Sequence, residues 1–281
     1  MPILTTGFLR YSMRQFLWLA AVALAACSSD PGTSAPGSNT ALSPPDSIGQ
    51  LPAATSAAAF DSATVVSLPP AQLPAGIPRV PGQVLELKQW TDANGRNLLV
   101  VARTAARTVP ARADDPNDTK SVSLYARQFV QRAGGWQELW RLQDAVERCA
   151  FDTWLGPVPG ATAITDLDAD GQTETTLLYR LVCRSDVSPA QQKLILREGA
   201  AKYALRGYSV VQYDSVPAAQ RVPAIACCLD TIPPARLEAH YELLDGRYET
   251  EREFRAAPPA FLAFARRQWR RWSIEEEFGQ L

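Results

Sequence analysis

The chain of 281 residues contains a single histidine, His240, and only two methionines. One imidazole excludes metalloprotease sites of the His-Glu-x-x-His type, because these sites need two histidines at a fixed spacing. The 28 basic and 29 acidic residues nearly cancel to a net charge of −1, which excludes bulk electrostatic binding of nucleic acid. The sequence has no Cys-x-x-Cys motif, phosphate-binding glycine loop or nucleophile elbow. It therefore identifies no reaction.

The N-terminal apolar run, residues 16–26, is far shorter than the roughly 20 residues that a membrane-spanning helix needs. Arg10 and Arg14 precede it, and this pattern predicts a secretory signal peptide over residues 1–26, whose start codon could be Met1 or Met13. The sequence Leu24-Ala25-Ala26-Cys27 resembles the bacterial lipobox. The resemblance implies cleavage before Cys27 and fatty acylation (palmitate) of that residue. Ser28 stands where an inner-membrane retention signal has Asp, so the outer membrane is the expected location, on its periplasmic or surface face.

Residues 27–80 comprise the predicted lipidated cysteine and a segment rich in proline, alanine and serine. Such a segment cannot bury enough apolar surface to offset its chain entropy, so we predict a disordered linker. A flexible linker of this length spans about 40 Å. The remainder, residues 81–281, is predicted to form a single β-rich globular domain.

Alternating apolar and polar residues, separated by turn sequences, predict a series of β-hairpins in this domain. The fold class is mainly β, made of antiparallel hairpins in a sandwich, a meander or a partial propeller. A short helix opened by Ser188-Pro189 is the alternative for one segment. The expected strand pairs are 84–90 with 97–103, 121–131 with 136–142, 175–183 with its preceding turn, 193–197 with 202–211, and 240–244 with 247–254.

A C-terminal amphipathic helix is predicted over residues 259–272, where apolar residues recur at three- and four-residue spacing. Four arginines flank the apolar face. They are candidates for contact with anions or lipid headgroups, or else form a solvated basic face beside the acidic residues 275–277. These arginines are Arg266, Arg267, Arg270 and Arg271.

An acidic loop carries the strongest chemical signal, with carboxylates at positions 1, 3, 5 and 9 and glycine at position 6. Calcium prefers six to eight hard oxygen ligands, which alternate residues of a tight loop can supply. Position 12 is Leu177 rather than Glu, which excludes an EF-hand, and the alternative to a structural Ca²⁺ site is a polar turn without metal. The predicted ligands are Asp166, Asp168, Asp170, the Gln172 carbonyl and Glu174. The loop resembles those of FG-GAP or integrin-propeller hairpins, with Glu174 where Asp is usual.

Besides Cys27, the chain has four cysteines, which allow three pairings in an oxidising compartment. A disulfide between Cys149 and Cys183 is favoured, because each ends a predicted strand and the bond would close a loop containing the acidic motif. Cys227 and Cys228 could form a vicinal bond, stay reduced or pair elsewhere.

Three segments together resemble a family of bacterial lipoproteins labelled surface polysaccharide biosynthesis proteins. They are residues 165–171 with the Leu178-Tyr179 strand, residues 183–189 and residues 198–207. The resemblance covers about residues 135–210. It implies a role in the cell envelope, with Asp166, Asp168 and Asp170 at the matching motif positions.

We therefore expect a non-catalytic, calcium-stabilised lipoprotein that binds a surface glycan or an envelope protein, and no nucleic acid. One alternative is a purely structural envelope lipoprotein. Another is a glycan hydrolase or lyase that uses two carboxylates about 5–10 Å apart. Its candidate acids are Asp144, Glu147, Asp152 and Asp186, while aromatic residues that could stack on sugars are Trp136, Trp140, Trp154 and Tyr179.

Overall fold

Most of the strand residues belong to two antiparallel sheets, and this mainly β fold confirms the predicted fold class. The computed structural model describes residues 60–113, 116–211 and 217–275, all within one compact unit, 54–281. The predicted signal peptide, Cys27 and the linker up to residue 59 lie outside the described residues.

The first sheet runs in the order β1-β2-β3-β5-β4, and β6 pairs with β5. The β2–β3 and β5–β6 hairpins are the two that the sequence predicts, with β5 and β6 longer than expected. Its strands are β1 (Val66–Ser67), β2 (Gln83–Asp92), β3 (Gly95–Arg103), β4 (Arg107–Val109), β5 (Thr119–Arg132) and β6 (Gly135–Cys149).

The second sheet runs in the order β11-β10-β9-β7, with the short β8 also pairing with β9. The β10–β11 hairpin confirms the strand prediction for this segment over the alternative helix. The strands are β7 (Asp152–Pro157), β8 (Ala163–Thr165), β9 (Glu174–Arg184), β10 (Gln191–Glu198) and β11 (Ala201–Tyr208). A separate parallel pair consists of β12 (Val210–Val211) and β13 (Ile274–Glu275).

The two sheets pack against each other, and each has its outer face covered as well. Successive strand residues point to opposite faces, so Leu99 and Val101 enter the core between the sheets, whereas Leu98 and Val100 enter a second core on the other side of β3. Burial on both faces explains the unbroken apolar run of β3.

The C-terminal helix covers the outer face of the second sheet. The described helices are α1 (Ala218–Arg221), α2 (Pro234–Ala239) and α3 (Pro259–Arg271). Pro259 occupies the first turn of α3, where its missing N–H costs nothing. Phe261 and Trp269 are fully buried against residues of β9 and β10, and each contributes about 2–3 kcal/mol by burial. The predicted helix is therefore confirmed, apart from its last residue, Trp272, which caps the C-terminus.

The predicted start of the globular domain at residue 81 is too late. Val66 and Ser67 pair with β2, and Leu68, Leu73 and Ile77 pack against the outer core of the first sheet. Few apolar residues suffice in this segment because β2 and β3 supply the edge and the surface on which they lie. The linker prediction missed these contacts, because the composition of residues 66–77 does not show that β2 and the outer core of the first sheet are there to bind them.

The predicted fifth hairpin, 240–244 with 247–254, is wrong. Tyr241–Leu244 and Arg252–Phe254 are single turns of 3₁₀ helix. Tyr248 between them forms isolated bridges with Gly207 and Cys227, so its segment closes the edge of β11 rather than pairing with residues 240–244.

Within the described residues, no helix is both long and apolar enough to span a bilayer.

Candidate metal centre

The acidic loop connects β8 to β9, and its own carboxylates hold its shape. Gly171 has a φ of 85°, which glycine adopts without steric cost, and Ala169 also adopts a positive φ of 61°. The Gly171 N–H donates to Asp166 Oδ2 at 3.2 Å, and the Gln172 N–H donates to Asp170 Oδ1 at 2.7 Å. The loop is therefore folded into a tight turn with its acidic side chains close together.

The turn brings the predicted acidic ligands into two overlapping groups. Oxygens of Asp166, Asp168 and Glu174 lie within 4.8 Å of one another, and the same holds for Asp168, Asp170 and Glu198. Asp168 belongs to both groups, so five carboxylates surround one small region. This density of oxygen ligands suits a hard cation such as Ca²⁺.

Glu198 is the member that the sequence analysis missed. It is the last residue of β10, and the pairing of Arg197 with Thr175 places it beside the start of β9. The register of β9 and β10 therefore places the Glu198 carboxylate beside the acidic loop, although Glu198 lies 24 positions beyond Glu174 in the sequence. The Glu198-Gly199 turn is visible in the sequence, but its position relative to the acidic loop depends on that register.

Burial makes Glu174 and Glu198 costly as charged groups, whereas Asp168 and Asp170 are exposed. Glu174 is 0% exposed, and burial raises its pKa to about 7, against hydrogen bonds from Thr165 Oγ1 at 2.8 Å and Leu167 N–H at 3.0 Å. The pKa of Glu198 is raised by burial and by the nearby aspartates. Asp166 Oδ1 and Glu198 Oε1 are buried without a hydrogen-bond partner in the described chain. A bound cation would satisfy these oxygens.

The loop is also one of the contacts between the two sheets. The Ala93 N–H, in the β2–β3 turn, donates to the Gly171 carbonyl at 2.8 Å, and Asn94 Nδ2 donates to Gln172 Oε1 at 3.1 Å. Gln172 Nε2 in turn donates to Asp170 Oδ2 at 3.1 Å. Because the Gln172 side chain is engaged, the oxygen that this residue can offer to an ion is the backbone carbonyl expected from the sequence.

The predicted disulfide between Cys149 and Cys183 is present, with a Cα–Cα distance of 5.6 Å. It joins the end of β6 in the first sheet to β9 in the second, so it clamps the strand that begins at the acidic loop. The structure also joins Cys227 and Cys228 to each other, one of the three arrangements that the sequence left open.

The four arginines of α3 are spread over different surroundings. Arg266 forms an ion pair with Glu251, and Arg270 Nη2 donates to the Ala224 carbonyl. Arg267 lies over the Phe264 ring, and Arg271 lies over the Trp272 ring. Arg266, Arg267 and Arg270 line one groove, and Arg271 is not among its lining residues.

The carboxylates considered for catalysis have structural roles or stand in solvent. Asp144 Oδ2 accepts hydrogen bonds from Lys193 Nζ at 2.6 Å and from the Tyr179 hydroxyl at 2.9 Å, and Asp186 caps Ser188. Glu147 and Asp152 are exposed.

The aromatic residues considered for sugar stacking are mostly part of the core. Trp140 and Tyr179 are buried between the sheets, and Trp140 Nε1 donates to Gln128. Trp136 and Trp154 are half-buried, with the guanidinium groups of Arg96 and Arg103 over their rings.

Comparison of the chain with protein-family models, with curated proteins and with solved structures found no match. The similarity to envelope lipoproteins, drawn from the motifs above, therefore stays a prediction.

Proposed function

We propose that this protein is a lipid-anchored component of the bacterial outer membrane whose β domain, stabilised by Ca²⁺, binds a surface glycan or an envelope protein without catalysing a reaction. The observation that carries the calcium part is the convergence of five carboxylates, two of them with buried, unpaired oxygens. The lipobox-like sequence ending at Cys27 supports the anchor.

Calcium has a structural part in this proposal. The acidic loop contacts the β2–β3 turn and opens β9, so an ion there holds together segments from both sheets. The affinity expected for extracellular calcium modules is about 10⁻⁴–10⁻³ M. The disulfide to Cys183 supports the same region from the other end of β9 and suits an oxidising compartment.

A binding role is favoured over hydrolysis because Asp144, the one half-buried candidate acid, is held by Lys193 and Tyr179. A carboxylate paired in this way is poorly placed to transfer a proton to a glycosidic oxygen. A purely structural role in the envelope is the outcome if no glycan or protein partner is found.

The calcium part is tested by thermal unfolding of the full chain in Ca²⁺ and in chelator. At 100-fold excess over the dissociation constant, Ca²⁺ adds about 2.7 kcal/mol, or a rise of about 5–10 °C in Tm. Asp168→Asn removes the residue shared by both acidic groups and should abolish the rise. The matched control Glu147→Gln changes an exposed carboxylate and should keep it. An equal Tm with and without Ca²⁺ would contradict the proposal.

The anchor and the binding part are tested separately. Mass spectrometry of the N-terminal peptide should show a fatty-acylated Cys27, and Cys27→Ser should move the chain from the membrane fraction to the soluble fraction. An uncleaved N-terminus would contradict the anchor. Binding is tested by applying the purified chain to isolated envelope polysaccharide, with chain length measured afterwards. Retention without shortening supports binding, and shortening supports a hydrolase.

A further inference from the structure

A groove of about 430 Å³ lies between α3 and the segment 224–227, on the side of the molecule that carries the vicinal cysteines. We call it the α3 groove. Ile225 and Cys227 contribute an apolar side, and Arg266, Arg267 and Arg270 contribute the other side. Its volume falls in the range of small-ligand sites, about 300–1,000 Å³.

Backbone contacts fix the apolar side of the groove. The Tyr248 N–H donates to the Ala226 carbonyl at 3.0 Å, and Cys227 forms a bridge with Tyr248. Ala226 and Cys227 also pack against the core beneath α3. The apolar side is thus preformed, which lowers the entropy cost of binding a ligand. Ile225 stands 74% exposed at the rim, so its side chain is available to a ligand.

The charged side of the groove has a positive excess. Glu251 neutralises Arg266, which holds it through Nε at 2.7 Å and through a second contact from Nη2. That ion pair lowers the pKa of Glu251, so both partners are charged. Arg267 and Arg270 have no carboxylate within 4.0 Å among the described residues, and their described contacts are a ring and a backbone carbonyl. Among the described residues, two guanidinium groups that line the groove therefore have no carboxylate partner.

A membrane surface fits this arrangement poorly. A helix that lies in a lipid interface inserts its apolar face among the acyl chains. The apolar face of α3 already packs against the core, since Phe261, Ala265 and Trp269 are all fully buried. The basic residues instead line a concavity, which suits a compact ligand.

We propose that the α3 groove binds an acidic sugar unit of a glycan, with its carboxylate held by Arg267 and Arg270 and its apolar ring face against Ile225 and Cys227. The planar guanidinium group matches a carboxylate in a two-pronged hydrogen bond, and a pyranose ring offers both an apolar face and hydroxyl groups. This inference rests on the glycan part of the proposed function and specifies the class of ligand and its site.

The test is calorimetric titration of the full chain, purified in detergent, with trigalacturonate as the probe. We expect saturable binding that weakens as salt is raised. The double substitution Arg267→Gln, Arg270→Gln should weaken binding at least about tenfold, the factor for losing charge-assisted hydrogen bonds. Arg271→Gln is the matched control, because it removes a positive charge from the same helix outside the groove, and binding should stay within about twofold.

A second variant guards against a folding defect in the double substitution. Ile225→Ser changes an exposed side chain and should weaken trigalacturonate binding while leaving Tm and the calcium response unchanged. Maltotriose, which lacks carboxylates, should not bind.

Four outcomes would overturn the inference. Equal weakening by Arg271→Gln would show diffuse attraction, and tighter binding of glycerol 3-phosphate than of trigalacturonate would favour a lipid headgroup. Binding of trigalacturonate or of envelope polysaccharide that survives both arginine substitutions would exclude the groove but leave the proposed function intact. Failure of the unmodified chain to bind either would overturn the inference together with the glycan part of the proposed function.

Discussion

Asp92 accepts two hydrogen bonds from Thr173, at 3.1 Å from its backbone N–H and at 2.6 Å from its hydroxyl, across 81 residues of sequence. Thr173 also accepts a hydrogen bond from Trp90 Nε1 at 2.7 Å. Trp90 and Asp92 end β2, and Thr173 ends the acidic loop, so this contact fixes the β2–β3 turn of the first sheet on the candidate metal centre of the second.

The substitution Asp92→Ala should lower the free energy of unfolding by about 2 kcal/mol, because it leaves the Thr173 N–H without its charged acceptor. Urea unfolding of the calcium-free chain measures the loss. Glu249→Gln, which alters an exposed carboxylate, serves as control and should change stability by less than about 0.5 kcal/mol. A loss no larger than in the control would show that the contact does not stabilise the fold.

The sequence indicates the two turns that meet at this contact, but not the contact itself. Asp92-Ala93-Asn94-Gly95 and Asp168-Ala169-Asp170-Gly171 are alike, and each precedes a strand. Pattern alone identifies two turns with glycine at the required position. That one turn binds the other follows from how the sheets stack, which depends on long-range packing rather than on local periodicity. Glu198 was missed for the same reason.

The fold could be predicted where alternation and turn residues agreed, as in β2–β3 and β10–β11. The fold could not be predicted where an alternating segment packs its side chains into the core instead of pairing with a neighbouring strand in a hairpin. Tyr248 lies in an alternating segment, yet it is buried against Trp269 with the rings at 78°, and the chain on either side turns in 3₁₀ helix. Short strands such as β1, with two residues, carry no periodic signal at all.

Glu198→Gln should weaken the effect of calcium without abolishing it. The residue contributes one of five carboxylates, and calcium affinity depends on the number of charged ligands. We expect the Ca²⁺ concentration for a half-maximal Tm rise to increase about tenfold, which corresponds to about 1.4 kcal/mol. Glu147→Gln should leave that concentration unchanged. An unchanged midpoint in Glu198→Gln would remove this residue from the site.

Loss of the disulfide should destabilise the chain by about 3–4 kcal/mol in the chain-entropy model, since the bond closes a loop with a sequence separation of 34. The change is Cys149→Ala with Cys183→Ala, compared with the original chain by urea unfolding without reductant. Cys227→Ser with Cys228→Ser is the control that retains the long-range bond and should lose much less. Similar losses in both pairs would mean that cross-linking of β6 to β9 is unimportant.

Acid should weaken the attachment of β13. The buried ion pair of Glu275 with Arg184 holds this strand, and Arg184 Nη2 lies 2.7 Å from Glu275 Oε2. Burial alone would raise the pKa of Glu275, but hydrogen bonds from Arg184, the Ser209 hydroxyl and the Ala190 N–H outweigh it and lower the pKa. The folded chain therefore binds this proton less readily than the unfolded chain, whose glutamate has a pKa of about 4.3. Its contribution is complete above that pH and is lost as the pH falls through the lowered value.

Glu275→Gln should cost about 3–5 kcal/mol at pH 7 and flatten the decline of stability below about pH 4.3. Urea unfolding from pH 3 to 7 measures both effects, and Asp230→Asn, in an exposed pair with Arg252, is the control that should alter neither. A decline as steep in Glu275→Gln as in the original chain would assign acid sensitivity to other carboxylates.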